Sequence, residues 1–283
     1  MILAQISDLH ITSTGEPAYG VADTVGRLAD TVTDLNRLDP RPEAVIVTGD
    51  VSDEGGERSY AQAAEILEGL EIPFFLIPGN HDRKKHLVSA FPGHDYLSAG
   101  IPSEEGDTFL FYAVERFPLR LVGLDSVTPG EHGGGLCSQR LEWLDQTLGA
   151  RPEAPTLVFL HHPPFASGIA HMDGEVFRNF DLLDASVRKH PQVLRLTCGH
   201  IHRFFARMFG GTVATVSPGI GMRLPLDLRP ESPSCFEMSP PAYLLHVFRS
   251  GWDGTPELLT HVRVVGEGNP KNIFPFFDVV SPE

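Results

Sequence analysis

The sequence predicts an α/β fold built on a mainly parallel sheet. Two observations carry that expectation. Short, β-branched apolar runs of strand length alternate with longer segments whose apolar residues recur at helical spacing. Five of those runs also end in turns rich in Gly, Asp, Asn and His: Asp8-Leu9-His10, Gly49-Asp50, Gly79-Asn80-His81-Asp82, His161-His162-Pro163 and Gly199-His200-Ile201-His202.

Residues 2–7 are apolar enough for a buried first strand, and they lack the basic start and long apolar core of a signal peptide. Residues 22–38 carry Val25, Leu28, Ala29, Val32, Leu35 and Leu38 at helical spacing, and Pro40 and Pro42 stop that helix. Residues 44–48 are a fully apolar second strand. A helix follows over 57–70, with Tyr60, Ala63, Ala64 and Leu67 on one face, and then a third strand over 74–77. Strand, helix, strand, helix, strand is the pattern of a sheet wound with crossover helices. Further on, 108–114 and 119–124 read as neighbouring strands, 141–148 as a short helix and 157–160 as a buried strand. Residues 176–190 read as helix, 193–197, 203–209 and 212–216 as strands, and 242–249 and 258–265 as closing strands.

The stretch 217–241 breaks the pattern with six prolines. Loops of that length inside a domain usually serve function, so it is expected to cap the active-site mouth or make an oligomer contact. Phe274, Phe276 and Phe277 suggest that the tail docks on the body. No clear linker divides the chain, so one domain over 1–283 is expected, assembled as a homo-oligomer.

With 41% hydrophobic residues the chain can fill a large core, and its apolar stretches are too short to span a membrane. A formal net charge of −15 disfavours duplex nucleic acid. A small phosphodiester can still bind where local cations outweigh that field. Cys137, Cys198 and Cys235 have no metal-knuckle spacing. They suggest free, buried thiols in a reducing cytoplasm.

The five turns carry the chemistry. Asp8 and His10 stand two apart after a strand, where i and i+2 point to one side, so one segment can offer a carboxylate and an imidazole to one ion. His200 and His202 repeat that spacing. Asp50 ends a strand, where its two oxygens can bridge two ions. Asn80 offers an amide oxygen and His161 a nitrogen. In open α/β sheets the crevice beyond the carboxyl ends of the strands is the ligand site. One sheet system bearing all five turns at that edge therefore predicts a two-ion centre.

These motifs resemble the calcineurin-like metallophosphoesterases, whose pattern is D-x-H, G-D, G-N-H-[DE], H and G-H-x-H. The resemblance covers about residues 1–220. It is closest to the bacterial branch of cyclic-nucleotide and glycerophosphodiester phosphodiesterases, which share runs like Ile6-Ser7-Asp8-Leu9-His10 and Cys198-Gly199-His200-Ile201-His202. It implies a four-layer αββα sandwich, two mixed sheets flanked by helices. It further implies that Asp8, His10 and His202 hold one metal, that Asn80, His161 and His200 hold the second, and that Asp50 bridges both. His81 would face the substrate. Family members use iron, manganese, zinc or cobalt, as divalent or mixed-valence pairs, and the O and N donors here exclude none of these. The run Asp50-Val51-Ser52-Asp53 lacks the Asp-Arg-Gly of protein-dephosphorylating relatives, which weakens that reading.

The expected reaction is hydrolysis of a small phosphodiester by a hydroxide bridging two ions. His81 is the candidate proton donor to the leaving oxygen and Asp50 the shared carboxylate. A phosphomonoesterase on the same scaffold is the alternative, and a metal-free protein-binding scaffold a remoter one. His162, His171, Arg223, Tyr19 and Asp53 stand near these motifs without an assigned role.

Overall fold

The computed structural model describes residues 1–102, 108–268, 271 and 273–274. The elements in order are β1 (Ile2–Ile6), α1 (Thr24–Arg37), β2 (Ala44–Thr48), α2 (Glu57–Leu67), β3 (Phe74–Ile77), α3 (Lys84–Ala90) and a 3-10 turn at Asp95–Ala99. Then follow β4 (Ile101–Pro102), β5 (Thr108–Phe109), β6 (Tyr112–Val114), β7 (Arg120–Leu124), α4 (Ser138–Gly149), β8 (Thr156–Leu160), α5 (Phe180–Arg188) and β9 (Val193–Cys198). β10 (Phe205–Phe209), β11 (Thr212–Val216), β12 (Ala242–Ser250) and β13 (Pro256–Val264) close the fold.

The strands form two mixed sheets in the order β13-β12-β1-β2-β3 and β10-β11-β9-β8-β7-β6, with β4 and β5 a separate pair. In the first sheet β1, β2 and β3 run parallel; in the second β7, β8, β9 and β11 do. The single sheet system expected from the residues is therefore corrected to two. Helical spacing and apolar runs show that a strand is buried on both faces, but not which sheet it joins. The four-layer sandwich implied by the family resemblance is the fold observed.

Side-chain alternation builds those layers. On the first sheet Ala4, Ile6, Val45, Val47, Phe74 and Leu76 pack against helical residues such as Leu28, Tyr60 and Leu87. Their neighbours Leu3, Ile46, Phe75 and Ile77 point the other way, onto Tyr112, Leu121, Leu157 and Phe159 of the second sheet. Val122, Leu124, Val158 and Leu160 then face Leu144, Leu148, Leu183 and Val187 of the outer helices. Period-two alternation on doubly buried strands yields three apolar seams between four layers.

The middle seam is polar at one end. Gln5 Nε2 donates to Thr48 Oγ1 at 3.0 Å and to the Cys198 carbonyl at 2.9 Å. Gln5 Oε1 accepts from Thr197 Oγ1 at 2.6 Å and from His246 Nε2 at 3.0 Å. His246 Nδ1 is 2.9 Å from Thr260 Oγ1 and accepts its proton. Burial, with the positive charge of Arg195, pushes the His246 imidazole down from 6.5 to about 3. Between those values the unfolded chain binds a proton that the folded one refuses, so folding stability falls as pH drops below 6.5. We expect a slope of up to about 1.4 kcal/mol per pH unit from this group. Urea titrations from pH 7 to 4 on wild type and His246→Gln check it: the variant should lose that share of the acid sensitivity.

Four further differences are local. α3 is missed by the sequence reading because its seven residues bury Leu87 alone and show no period. The 176–190 helix begins at Phe180, because Asn179 before it is left-handed at φ 61°. Only Cys198 of the three cysteines is buried; Cys137 is half-buried and Cys235 exposed, so the expectation of buried thiols holds at one position. Phe274 is exposed rather than docked, while Phe276 and Phe277 lie outside the described residues.

Candidate metal centre

Five turns meet where the carboxyl ends of both sheets adjoin. The chain leaving β1 runs beside the chain leaving β2, with Asp8 N donating to Gly49 O at 3.1 Å and His10 N to Asp50 O at 2.9 Å. The first sheet delivers Asp8, His10, Asp50 and Asn80. The second delivers His161 after β8 and His200 and His202 after β9. Among the described residues, seven non-glycine residues have positive φ, and five of them are Asp8, His10, Asp50, His200 and His202, at 48–70°. Left-handed backbone is uncommon outside glycine, and its concentration here marks where the fold holds unfavourable geometry to aim side chains.

That backbone corrects one argument. Asp8 and His10 do offer atoms to a common point with His202, but from left-handed turns and not from extended backbone. His200 and His202 do not share a point: His200 groups with His161 and His162, His202 with Asp8 and His10. Alternation along a strand does not extend into a turn where both residues have positive φ.

The donor atoms are close-set. His10 Nε2 lies 3.2 Å from His202 Nε2 and 3.6 Å from Asp50 Oδ2, and His202 Nε2 lies 3.6 Å from Asp8 Oδ1. Across the site, His161 Nε2 lies 3.3 Å from Asp50 Oδ2 and 3.1 Å from Asn80 Oδ1. The outer nitrogens fix the tautomers. His161 Nδ1 donates to the Thr48 carbonyl at 2.7 Å, His202 Nδ1 to the Met222 carbonyl at 3.2 Å, and His10 Nδ1 to Asp53 Oδ1 at 2.9 Å. A carbonyl or carboxylate oxygen only accepts, so in the neutral rings every Nε2 is a bare lone pair. Lone pairs therefore face lone pairs and carboxylates, which is unfavourable unless positive charge lies between them.

The titration directions agree. Burial opposes charging His161, yet the neighbouring Asp50 carboxylate, with Asp8, pushes it up from 6.5 to about 9. Burial also opposes charging Asp50, but His161, His10 and His81 hold it well below the ordinary carboxylate range. His200 falls well below 6.5 through burial and the charge of His161. Asp8 Oδ2 is buried with no hydrogen-bond partner. An orphaned carboxylate oxygen among inward lone pairs fits divalent cations, and N and O donors suit borderline metals.

Two glycines make room for this packing. Gly49 sits at φ +93°, and a Cβ there would come 2.5 Å from His161 Nδ1. A Cβ on Gly79 would come 2.1 Å from Asp50 Oδ1 and 2.4 Å from Asp50 N. The second clash is with backbone, so no rotamer relieves it. We expect Gly79→Ala to cost about 2–3 kcal/mol in stability and to impair metal uptake. Thermal melts and metal analysis of the purified variant check both.

Around the donors, Asp82 ties two loops together. Its carboxylate accepts from Gly79 N at 2.8 Å, Val51 N at 3.2 Å, Ser52 N at 3.1 Å and Tyr60 Oη at 3.0 Å. Burial, and the nearby Asp50 charge, push it up to about 6. Its place in the Gly79–Asp82 motif was the signal that could have identified it. His81 donates from Nδ1 to the Asp53 carbonyl at 2.6 Å, while its N–H holds Asp50 Oδ1 at 2.9 Å. Asp53, unassigned from sequence, orients His10 and accepts from the Tyr19 hydroxyl at 3.2 Å.

A cleft of 740 Å³ opens over these groups, lined in part by His10, Asp50, Asn80, His81, His200 and His202. Tyr19 and His171 also line it. So do Met222, Leu224, Ser234, Cys235 and Phe236 from the 217–241 excursion. Arg223 does not: its guanidinium is engaged by Glu237 at 2.5 Å. His132 was missed. It lines the cleft, with Nδ1 3.5 Å from Asn80 Nδ2, but stands midway along the loop between β7 and α4 and not in the turn directly after a strand.

The sequence model of the calcineurin-like phosphoesterases matches residues 1–204. The chain is 35% identical over 279 residues to a probable glycerophosphodiester phosphodiesterase, GpdQ, of Arcobacter nitrofigilis, covering 98% of this chain and 97% of that one. It is 31% identical to a probable cyclic nucleotide phosphodiesterase of Rhodopseudomonas palustris, over 84% of this chain and 85% of the other. Among solved structures, a dimetal phosphatase from Danio rerio superposes with a TM-score of 0.62 at 17% identity, covering 92% of this chain and 98% of that one.

Proposed function

The chain belongs to the calcineurin-like phosphoesterases, and from that premise we propose that its cleft hydrolyses small phosphodiesters, 3′,5′-cyclic nucleotides or glycerophosphodiesters, with two metal ions bound. The enzyme is a metal-dependent phosphoric diester hydrolase. One observation carries the two-ion reading: Asp50 Oδ2 is 3.6 Å from His10 Nε2 on one side and 3.3 Å from His161 Nε2 on the other. A single carboxylate is thus within reach of both donor groups. In this reading Asp8, His10 and His202 hold one ion, Asn80, His161 and His200 the other, and Asp50 both. Iron, manganese, zinc and cobalt all suit such a donor set.

The bound metals would neutralise the phosphate and lower the pKa of attacking water toward neutrality. The protein's own groups do the rest. His81 Nδ1–H is anchored on the Asp53 carbonyl, so Nε2 is the nitrogen left to face the cleft. Protonated there, it can hydrogen-bond the phosphoryl group and give its proton to the departing alkoxide. Asp53 keeps His10 in one tautomer and orientation. Met222, Leu224 and Phe236 line the cleft with apolar surface.

We read 1–283 as one domain and 217–241 as its cap. The inner side of that segment lines the cleft, while Leu226, Leu228 and Met238 are 59%, 62% and 44% exposed. Those outward apolar residues support a contact between copies in a homo-oligomer, which light scattering tests. No helix among the described residues is long and apolar enough to cross a membrane. Free cysteines fit a cytoplasmic enzyme.

The test of function is metal depletion by chelation, then add-back of Mn, Zn, Co or Fe with a bis-aryl phosphate and an aryl phosphate as substrates. Activity should vanish, return with metal and favour the diester. Preference for the monoester would establish the phosphatase alternative instead.

A further inference from the structure

A second cavity, of 510 Å³, opens beside the metal cleft and shares Gly133, Met172, Glu175 and His200 with it. That volume suits a small-molecule group. Phe165, Phe177, Phe180, Phe209, Met172 and Ile201 make its walls apolar and largely aromatic. Several acids stand at the rim, but the inner ones are engaged. Asp173 accepts from Ser167 and Gly168 N–H groups at 2.7 Å each. Asp184 holds Arg188 at 2.7 Å and Gly210 N at 2.7 Å, and Glu175 accepts from Gly133 N. These partners leave the carboxylates little call for a bound cation.

His162 also lines the cavity but is only 2% exposed: its Nδ1 is 2.9 Å from Ser126 Oγ and its ring packs against those of His161 and His200. A glycerol substituent would leave the aromatic walls uncovered. A flat ring covers them.

We propose that this cavity is the subsite for an aromatic ester substituent of the diester whose phosphorus sits in the metal cleft. The inference rests on the phosphodiesterase reading and narrows it: aryl and nucleoside diesters are favoured over small aliphatic ones.

The test compares kcat and KM for dibenzyl and diethyl phosphate, using metal-loaded enzyme. Both release alkoxides of similar basicity, so the ring is the main difference. Wild type should favour dibenzyl phosphate about ten- to hundredfold, mainly through KM, as expected for burying a ring. Ala166→Trp fills the cavity from an exposed wall position, and Phe180→Ala removes a half-exposed wall. Each should cut that preference about tenfold through KM and leave turnover of diethyl phosphate unchanged. Absence of the preference in wild type, or its full retention in both folded variants, overturns the proposal. If metal-loaded wild type hydrolyses phosphomonoesters but no phosphodiester, bis-aryl phosphate included, the diesterase reading fails and the subsite falls with it.

Discussion

Asp50→Ala is expected to abolish turnover and metal retention together. Its carboxylate is fully buried, lies 3.6 Å from His10 Nε2 and 3.3 Å from His161 Nε2, and has His81 N on its other oxygen at 2.9 Å. Removing it strips a negative charge from both donor groups and releases the loop that carries Asn80 and His81. Loss of an outer partner of a metal ligand costs about 10–100-fold in affinity or activity, and loss of a shared ligand should exceed that range. Metal content by mass spectrometry and turnover of a bis-aryl phosphate are the measurements. Asp50→Asn is the control: it keeps an oxygen for His81 N but not the charge, so it should restore the loop without restoring activity. A metal-loaded, fully active Asp50→Ala enzyme would refute the shared-carboxylate assignment.

His81→Ala should behave differently. The His81 contact to Asp50 is made by its backbone N–H, which alanine retains, so metals should stay. The imidazole that faces the cleft is lost. Removing a general acid costs about 10²–10⁴-fold, and the loss should grow as the leaving alcohol becomes more basic. A series of diesters with leaving groups from nitrophenol to simple alkanols gives the dependence. Equal losses across the series would show that His81 steadies the phosphoryl oxygens but does not donate the proton.

The site was legible because its parts follow strands that are themselves unmistakable. Runs such as Ala44-Val45-Ile46-Val47-Thr48 are short, β-branched and apolar, so the position of Asp50 at a strand end follows from the residues alone. All seven proposed ligands lie in one cluster for that reason. What escaped was whatever depends on the chain's path after a strand ends. Pairing into one sheet or two is set by contacts between residues far apart, such as Ile46 and Phe159 in the middle seam. The different directions of His200 and His202 come from left-handed turns that no periodicity reports. His132 and Ser126 reach the site from loops whose approach is fixed by distant contacts, including the hydrogen bond between Ser126 and His162. Arg223 had the right chemistry for phosphate, but Glu237, fourteen residues later, claims it.

Each proposed ion draws on both sheets: Asp8 and His10 against His202, and Asn80 against His161 and His200. Metal binding would therefore rivet the two halves of the sandwich at their open end, beside the main-chain crossing where Ile220 N and Gly221 N donate to the Ser7 and Asp8 carbonyls. The energy of coordination then enters the stability of the whole fold. Chelation should lower the melting temperature as well as stop catalysis, and a mutation that loosens the contact between the sheets should surface first as metal loss.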